Sequence, residues 1–133
     1  MAYSSSITVT PYAGQRKAWL LVVTETGHST GSEEWSATVA TNGIPSQGRI
    51  SMHMCVLTAG NGAATTVDPE LGETIGSKLV YENGPAAATT NNRAPATVYA
   101  LQSGTLYGRS KPNGNTGTTG TIVTSIVILD GQQ

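Results

Sequence analysis

Phenylalanine is absent from this 133-residue chain, and cysteine occurs once. Five Tyr and two Trp supply all the aromatic volume, so a core has to be built from Ile, Val, Leu and Ala. The lone Cys55 excludes an intrachain disulfide. It lies between Met54 and Val56 in an apolar run and reads as a buried free thiol, in a chain that folds without staples in a reducing cytoplasm. Charge is scarce too: 11% of residues, against about 25% in an ordinary soluble domain. The seven cationic residues are scattered from Arg16 to Lys111, with Arg16-Lys17 as the one adjacent pair. An electrostatic footprint for nucleic acid is therefore lacking. No apolar run approaches the ~20 residues of a membrane-spanning helix. The opening MAYSSSITVT has no basic region followed by an apolar stretch, so it is not expected to act as a signal peptide. Helix signals are nearly absent. Only Asp68-Pro69-Glu70-Leu71 resembles a cap with proline at the first helical position, and Gly72 and Gly76 limit it to about one turn.

Thr, Ser, Asn, Gly and Ala fill the sequence instead. Threonine is β-branched and suits a pleated, half-exposed backbone. A surface with little charge also costs less to desolvate against a neighbour. Four Asn-Gly pairs, at 42–43, 61–62, 83–84 and 113–114, mark tight turns. Between them lie short runs rich in Val, Ile, Thr, Tyr and Trp. Strands are expected over Ser6–Tyr12, Lys17–Thr26, Glu34–Thr41, Arg49–Thr58 and Ser77–Glu82. Thr97–Leu101 and Thr105–Arg109 read as a hairpin around residues 102–104, and Thr119–Leu129 as the last strand. The second strand is apolar on both faces and is expected to be central and covered on both sides. In the fourth, Ile50, Met52, Met54 and Val56 form one stripe and Ser51, His53, Cys55 and Leu57 the other. About eight strands with turn signals between them predict a single all-β domain over residues 1–133, a β-sandwich of jelly-roll type, with a small β-barrel as the alternative. Two long polar segments, 83–96 and 110–120, read as loops. The first is expected to be ordered by a neighbouring subunit.

The residues that carry chemistry form few constellations. His53 and Cys55 share one strand face with Cβ atoms roughly 7 Å apart, too far for direct activation of the thiolate. His28 lies in a Gly/Ser/Thr segment far along the chain. Two His and one Cys make no recognisable zinc set. Asp68, Glu70 and Glu73 are the one acidic trio for calcium, and they equally decorate a short helical start. No phosphate-binding or dinucleotide fingerprint is present. Trp19 and Trp35 lie within apolar alternations, which favours core packing over sugar stacking. No catalytic residue, metal site or cofactor is expected.

Several stretches carry a family resemblance: SSSITVTPY, KAWLLVVTET, GRISMHMCVLTAGNG and YALQSGTLYGRSKPNGNTGTTGTIVTSIVIL. Together they resemble the capsid decoration, or cement, proteins of tailed bacteriophages. The resemblance implies a non-enzymatic virion protein, made in the host cytoplasm and seated on the capsid exterior. It implies binding to the major capsid protein and to itself, commonly as a homotrimer, with no nucleic acid or membrane partner. No site transfers residue by residue. The candidate contacts of this chain are Tyr3 and Ser6 near its start, Asn91, Asn92 and Arg93 in one long loop, and Lys111, Asn113 and Asn115 in the other. A tail, fibre or baseplate domain and a carbohydrate-binding module are the rival readings.

Overall fold

The computed structural model describes residues 3–11, 18–29, 32–45, 47–58, 60–72, 86–87, 91–93, 99–101 and 104–130. Its strands are β1 (Ser4–Pro11), β2 (Ala18–Thr26), β3 (Trp35–Thr38), β4 (Gly48–Thr58), β5 (Thr66–Val67), β6 (Glu70–Gly72), β7 (Ala86–Ala87), β8 (Asn91–Arg93), β9 (Tyr99–Leu101), β10 (Thr105–Arg109) and β11 (Thr121–Asp130). One helical turn, α1 (Val39–Asn42), follows β3. The architecture is all-β, as the Thr-rich alternations require.

The main sheet runs β1-β2-β11-β4-β8, with β9 also paired to β4. A second sheet runs β3-β10-β6, and β5 pairs with β7. All pairings are antiparallel. One buried cluster takes Leu21 and Val23 from β2, Ile50 from β4, and Ile126 and Ile128 from β11. It takes Trp35 and Ala37 from β3, Leu71 from β6 and Leu106 from β10. The two sheets thus pack face to face in a sandwich-like arrangement. Each buried Leu or Ile contributes about 1.5–3 kcal/mol. A smaller cluster of Cys55, Leu57, Ala64, Val67 and Ile122 closes one end.

In β11, Ile122, Thr124, Ile126 and Ile128 are buried, and Val127 is buried as well. The stripes expected in β4 do not hold. Its buried residues are Gly48, Ile50, His53, Cys55 and Leu57, so the alternation breaks between Ile50 and His53. The cause is a register shift against β11 between Val127 and Ile128: Met52 pairs with Val127 and Ile50 with Ile128, which leaves Ser51 without a partner residue. Such a bulge turns the following side chains to the opposite face. In β2, Leu21 and Val23 are buried while Leu20 and Val22 on the other face are half-buried.

Four local expectations are overturned. Residues 39–42 form α1 rather than the end of β3, because Thr38 Oγ1 accepts from the Thr41 N–H and Gly43 ends the turn at φ 79°. Asp68-Pro69-Glu70-Leu71 leads into β6, because pairing with β10 supplies its backbone partners. β9 and β10 form no hairpin, since β9 pairs with β4 and β10 with β3 and β6. The 83–96 segment contains β7 and β8, paired with β5 and β4 of this same chain. The described Asn-Gly pairs sit in the α1 cap and in the loops after β4 and β10, not in two-residue hairpins. The expected strand at 77–82 and the pair at 83–84 lie outside the described residues.

Gly108 in β10 lies opposite the buried Trp35 of β3. A Cβ there would run into the indole ring, so the sheet needs a bare backbone under the aromatic plane. Gly108→Ala is expected to lower unfolding stability by about 1–3 kcal/mol through overpacking. A shifted denaturant midpoint at constant slope would report it.

Candidate functional site

At one end of the main sheet, four chain segments meet around a buried carboxylate. Glu25 occupies an inward position of β2, in line with Leu21 and Val23. Its side chain is 0% exposed. A carboxylate there is costly unless its charge is matched. His28, just past the strand, supplies the match: its Nε2 lies 2.9 Å from Glu25 Oε2 and its Nδ1 3.1 Å from Glu33 Oε1. Tyr3 donates its hydroxyl to Glu25 Oε2 at 2.6 Å. Its ring meets the imidazole edge-on, with centroids 4.9 Å apart at 69°. Ser110 donates to Glu25 Oε1. Glu33 Oε2 accepts from the Ser29 backbone N–H and hydroxyl at 3.0 and 2.9 Å.

His28 also fixes the long loop after β10 through its backbone. Its N–H donates to Thr116 Oγ1 and its carbonyl accepts from the Thr116 N–H, both at 3.1 Å. Two asparagines lock the same loop to the segment after β4. Asn61 Oδ1 accepts from the Thr118 and Thr119 N–H groups at 2.7 and 3.2 Å. Asn113 Oδ1 accepts from the Thr65 and Thr66 N–H groups at 2.7 and 3.0 Å. Between them, Ala64 N–H donates to the Asn115 carbonyl at 3.0 Å. Loop 110–120 is thus ordered by its own chain. Beside it is an open recess of about 200 Å³, lined by Gly27, His28, Ser29, Asn115, Gly117 and Thr118.

The electrostatics of the cluster follow from its contacts. Burial works against a charged imidazole. The hydrogen bonds and charges of Glu25 and Glu33 outweigh it and raise the His28 pKa above the usual histidine value. Burial, reinforced by the Glu25 charge, pushes the Tyr3 hydroxyl far up, so it stays a donor. Both imidazole nitrogens face carboxylates, and the Ser110 hydroxyl binds Glu25 rather than histidine. Chemically, this is a charge-assisted clamp on three loops and a strand.

The residues singled out from sequence fall at separate places. Tyr3 belongs to the clamp. Ser6 is exposed on β1 opposite Thr24. Asn91, Asn92 and Arg93 form β8, not a loop, and pair with Cys55, Met54 and His53. Lys111, at φ 48°, holds the buried Glu70 carboxylate at 3.0 Å. Asn113 and Asn115 sit in the locked loop. The buried Cys55 thiol accepts from Thr124 Oγ1 at 3.7 Å, and His53 is buried on the same face. Of the acidic trio, Glu73 lies outside the described residues. Glu25, Ser110 and Thr116 were not singled out, and His28 was considered only as distant from Cys55. The available signal was Glu25 itself, a carboxylate at an inward position of an apolar alternation, three residues before a histidine.

No protein-family model matches the sequence, and no curated protein or solved structure is significantly similar to it.

The clamp has a pH signature. The folded chain holds the His28 proton above the usual pKa of about 6.5, whereas the unfolded chain does not. Its contribution is complete below that value and is lost as pH rises through the raised one. Urea midpoints should therefore fall as pH rises above the ordinary histidine value of about 6.5. In His28→Ala that dependence should flatten, and stability near pH 6 should drop by about 3–5 kcal/mol, because Glu25 is left buried and uncompensated.

Proposed function

We propose that this chain is a virion structural protein: a decoration protein of a tailed-phage head. In this reading it sits on the capsid exterior, binds the major capsid protein and copies of itself, and stabilises the shell by bridging neighbouring subunits. The resemblance noted in the sequence is one support. The observation that carries the reading is the locked, uncharged rim formed by residues 60–66 and 112–120. Its residues are Gly, Asn, Ala, Thr and Pro, held by Asn61, Asn113 and Thr116. A loop already ordered needs little further ordering on binding, so more of the contact energy appears as affinity. Its hydroxyls, amides and backbone groups suit a polar, uncharged partner surface.

Co-sedimentation with undecorated heads tests this reading. The protein should pellet with heads and saturate. Asn115→Arg, on an exposed side chain at the recess, should weaken pelleting while leaving the thermal midpoint unchanged. Absence of pelleting by the unmodified chain, or unaltered pelleting by the variant, would contradict the proposal.

A further inference from the structure

β1 forms one border of the main sheet. It pairs with β2 along its whole length, from Ser4 opposite Thr26 to Pro11 opposite Trp19, with no register shift. On the side away from β2, its outward backbone groups have no strand partner among the described residues. Six of its eight residues are exposed: Ser4, Ser5, Ser6, Thr8, Thr10 and Pro11. Among the described residues no strand covers this border, and α1 comes close to β1. Natural edge strands are generally blunted by lysine, an internal proline, a bulge or shortness. β1 has none of these. It carries no charge, its one proline is its last residue, and it exceeds the mean strand length of about 5–6 residues.

We propose that β1 is a self-association edge, at which two copies of this chain pair antiparallel about a twofold axis and join their main sheets into one. The sequence SSSITVTP is self-complementary in that arrangement. An axis through residue 7 sets Ile7 opposite Ile7, Ser6 opposite Thr8 and Ser4 opposite Thr10. An axis through residue 8 sets Thr8 opposite Thr8 and Ile7 opposite Val9. Either register keeps like faces together, whereas a shift by one residue would mix them. On the inner face, Ile7 and Val9 are half-buried against the core of their own chain. The same residues of the second copy would complete their burial. On the outer face, Ser and Thr hydroxyls would meet in cross-strand pairs.

Charge favours a second copy as the occupant. No like-charge pair arises when β1 meets itself, and β1 has no charge with which to select a charged partner strand. A twofold contact of this kind is closed and stops at two copies. It is a different interface from a threefold ring. It stands independently of the capsid-binding proposal, and failure to bind heads would leave it untouched.

Light scattering of the full chain over a range of concentrations tests it. The expected mass is twice the chain mass of 13.7 kDa. Thr8→Lys points outward from an exposed position. It should raise the dimer dissociation constant roughly tenfold or more by setting like charges across the pair, with circular dichroism and thermal midpoint of the monomer unchanged. Ser6→Lys should act the same way, while Thr8→Ser should leave the dimer intact. A chain that stays monomeric at the highest concentration, a trimer, or a dimer indifferent to both lysines overturns the proposal.

Discussion

A carboxylate on the inward face of a central strand sets the terms for one whole end of this protein. Glu25 lies where Leu21 and Val23 point, and its charge has no water to meet it. Four residues answer it from different parts of the chain. His28 brings a cation, Tyr3 and Ser110 bring hydroxyls, and Glu33 holds the far side of the imidazole. Removing one partner strands the others, because a buried ion pair stabilises only while it is complete. The same contacts that neutralise Glu25 also tie down the start of β1, residues 27–29 and 32–34, and residues 110–120.

Rigidity at this end has a second source that involves no charge. Asn61 and Asn113 each offer one carbonyl oxygen to two successive backbone N–H groups. They satisfy donors that a loop would otherwise leave to solvent. The polar rim is therefore stiff without being apolar. The rim and the sheet border are both neutral, and that is why assembly organises our functional reading.

Much of the fold was legible because it depends on alternation. The apolar alternation of β2 and the inward Trp35 and Ala37 follow from period two alone, whereas Val39, inward by the same period, is exposed because the strand gives way to α1. Reading failed where partners distant in sequence decide. Ser51 cannot be recognised as a bulge without the register of β11. Asp68-Pro69-Glu70-Leu71 carries a helix start, but pairing with β10 makes it extended. Asn91 to Arg93 look like loop residues until β4 offers them a ladder. The clamp was hidden for the same reason. Tyr3, Glu25 and Ser110 are far apart in sequence, and only the folded sheet end brings them together. Glu25 alone was visible, as a misplaced charge in an apolar pattern.

The account stands on His28 being gripped by two carboxylates that favour its protonated form. NMR titration of its imidazole ring tests that directly. We expect a pKa above that of an exposed histidine, and a return toward the ordinary value in Glu33→Gln. A ring whose pKa is ordinary or lowered would contradict the clamp and the ordering of the loops derived from it.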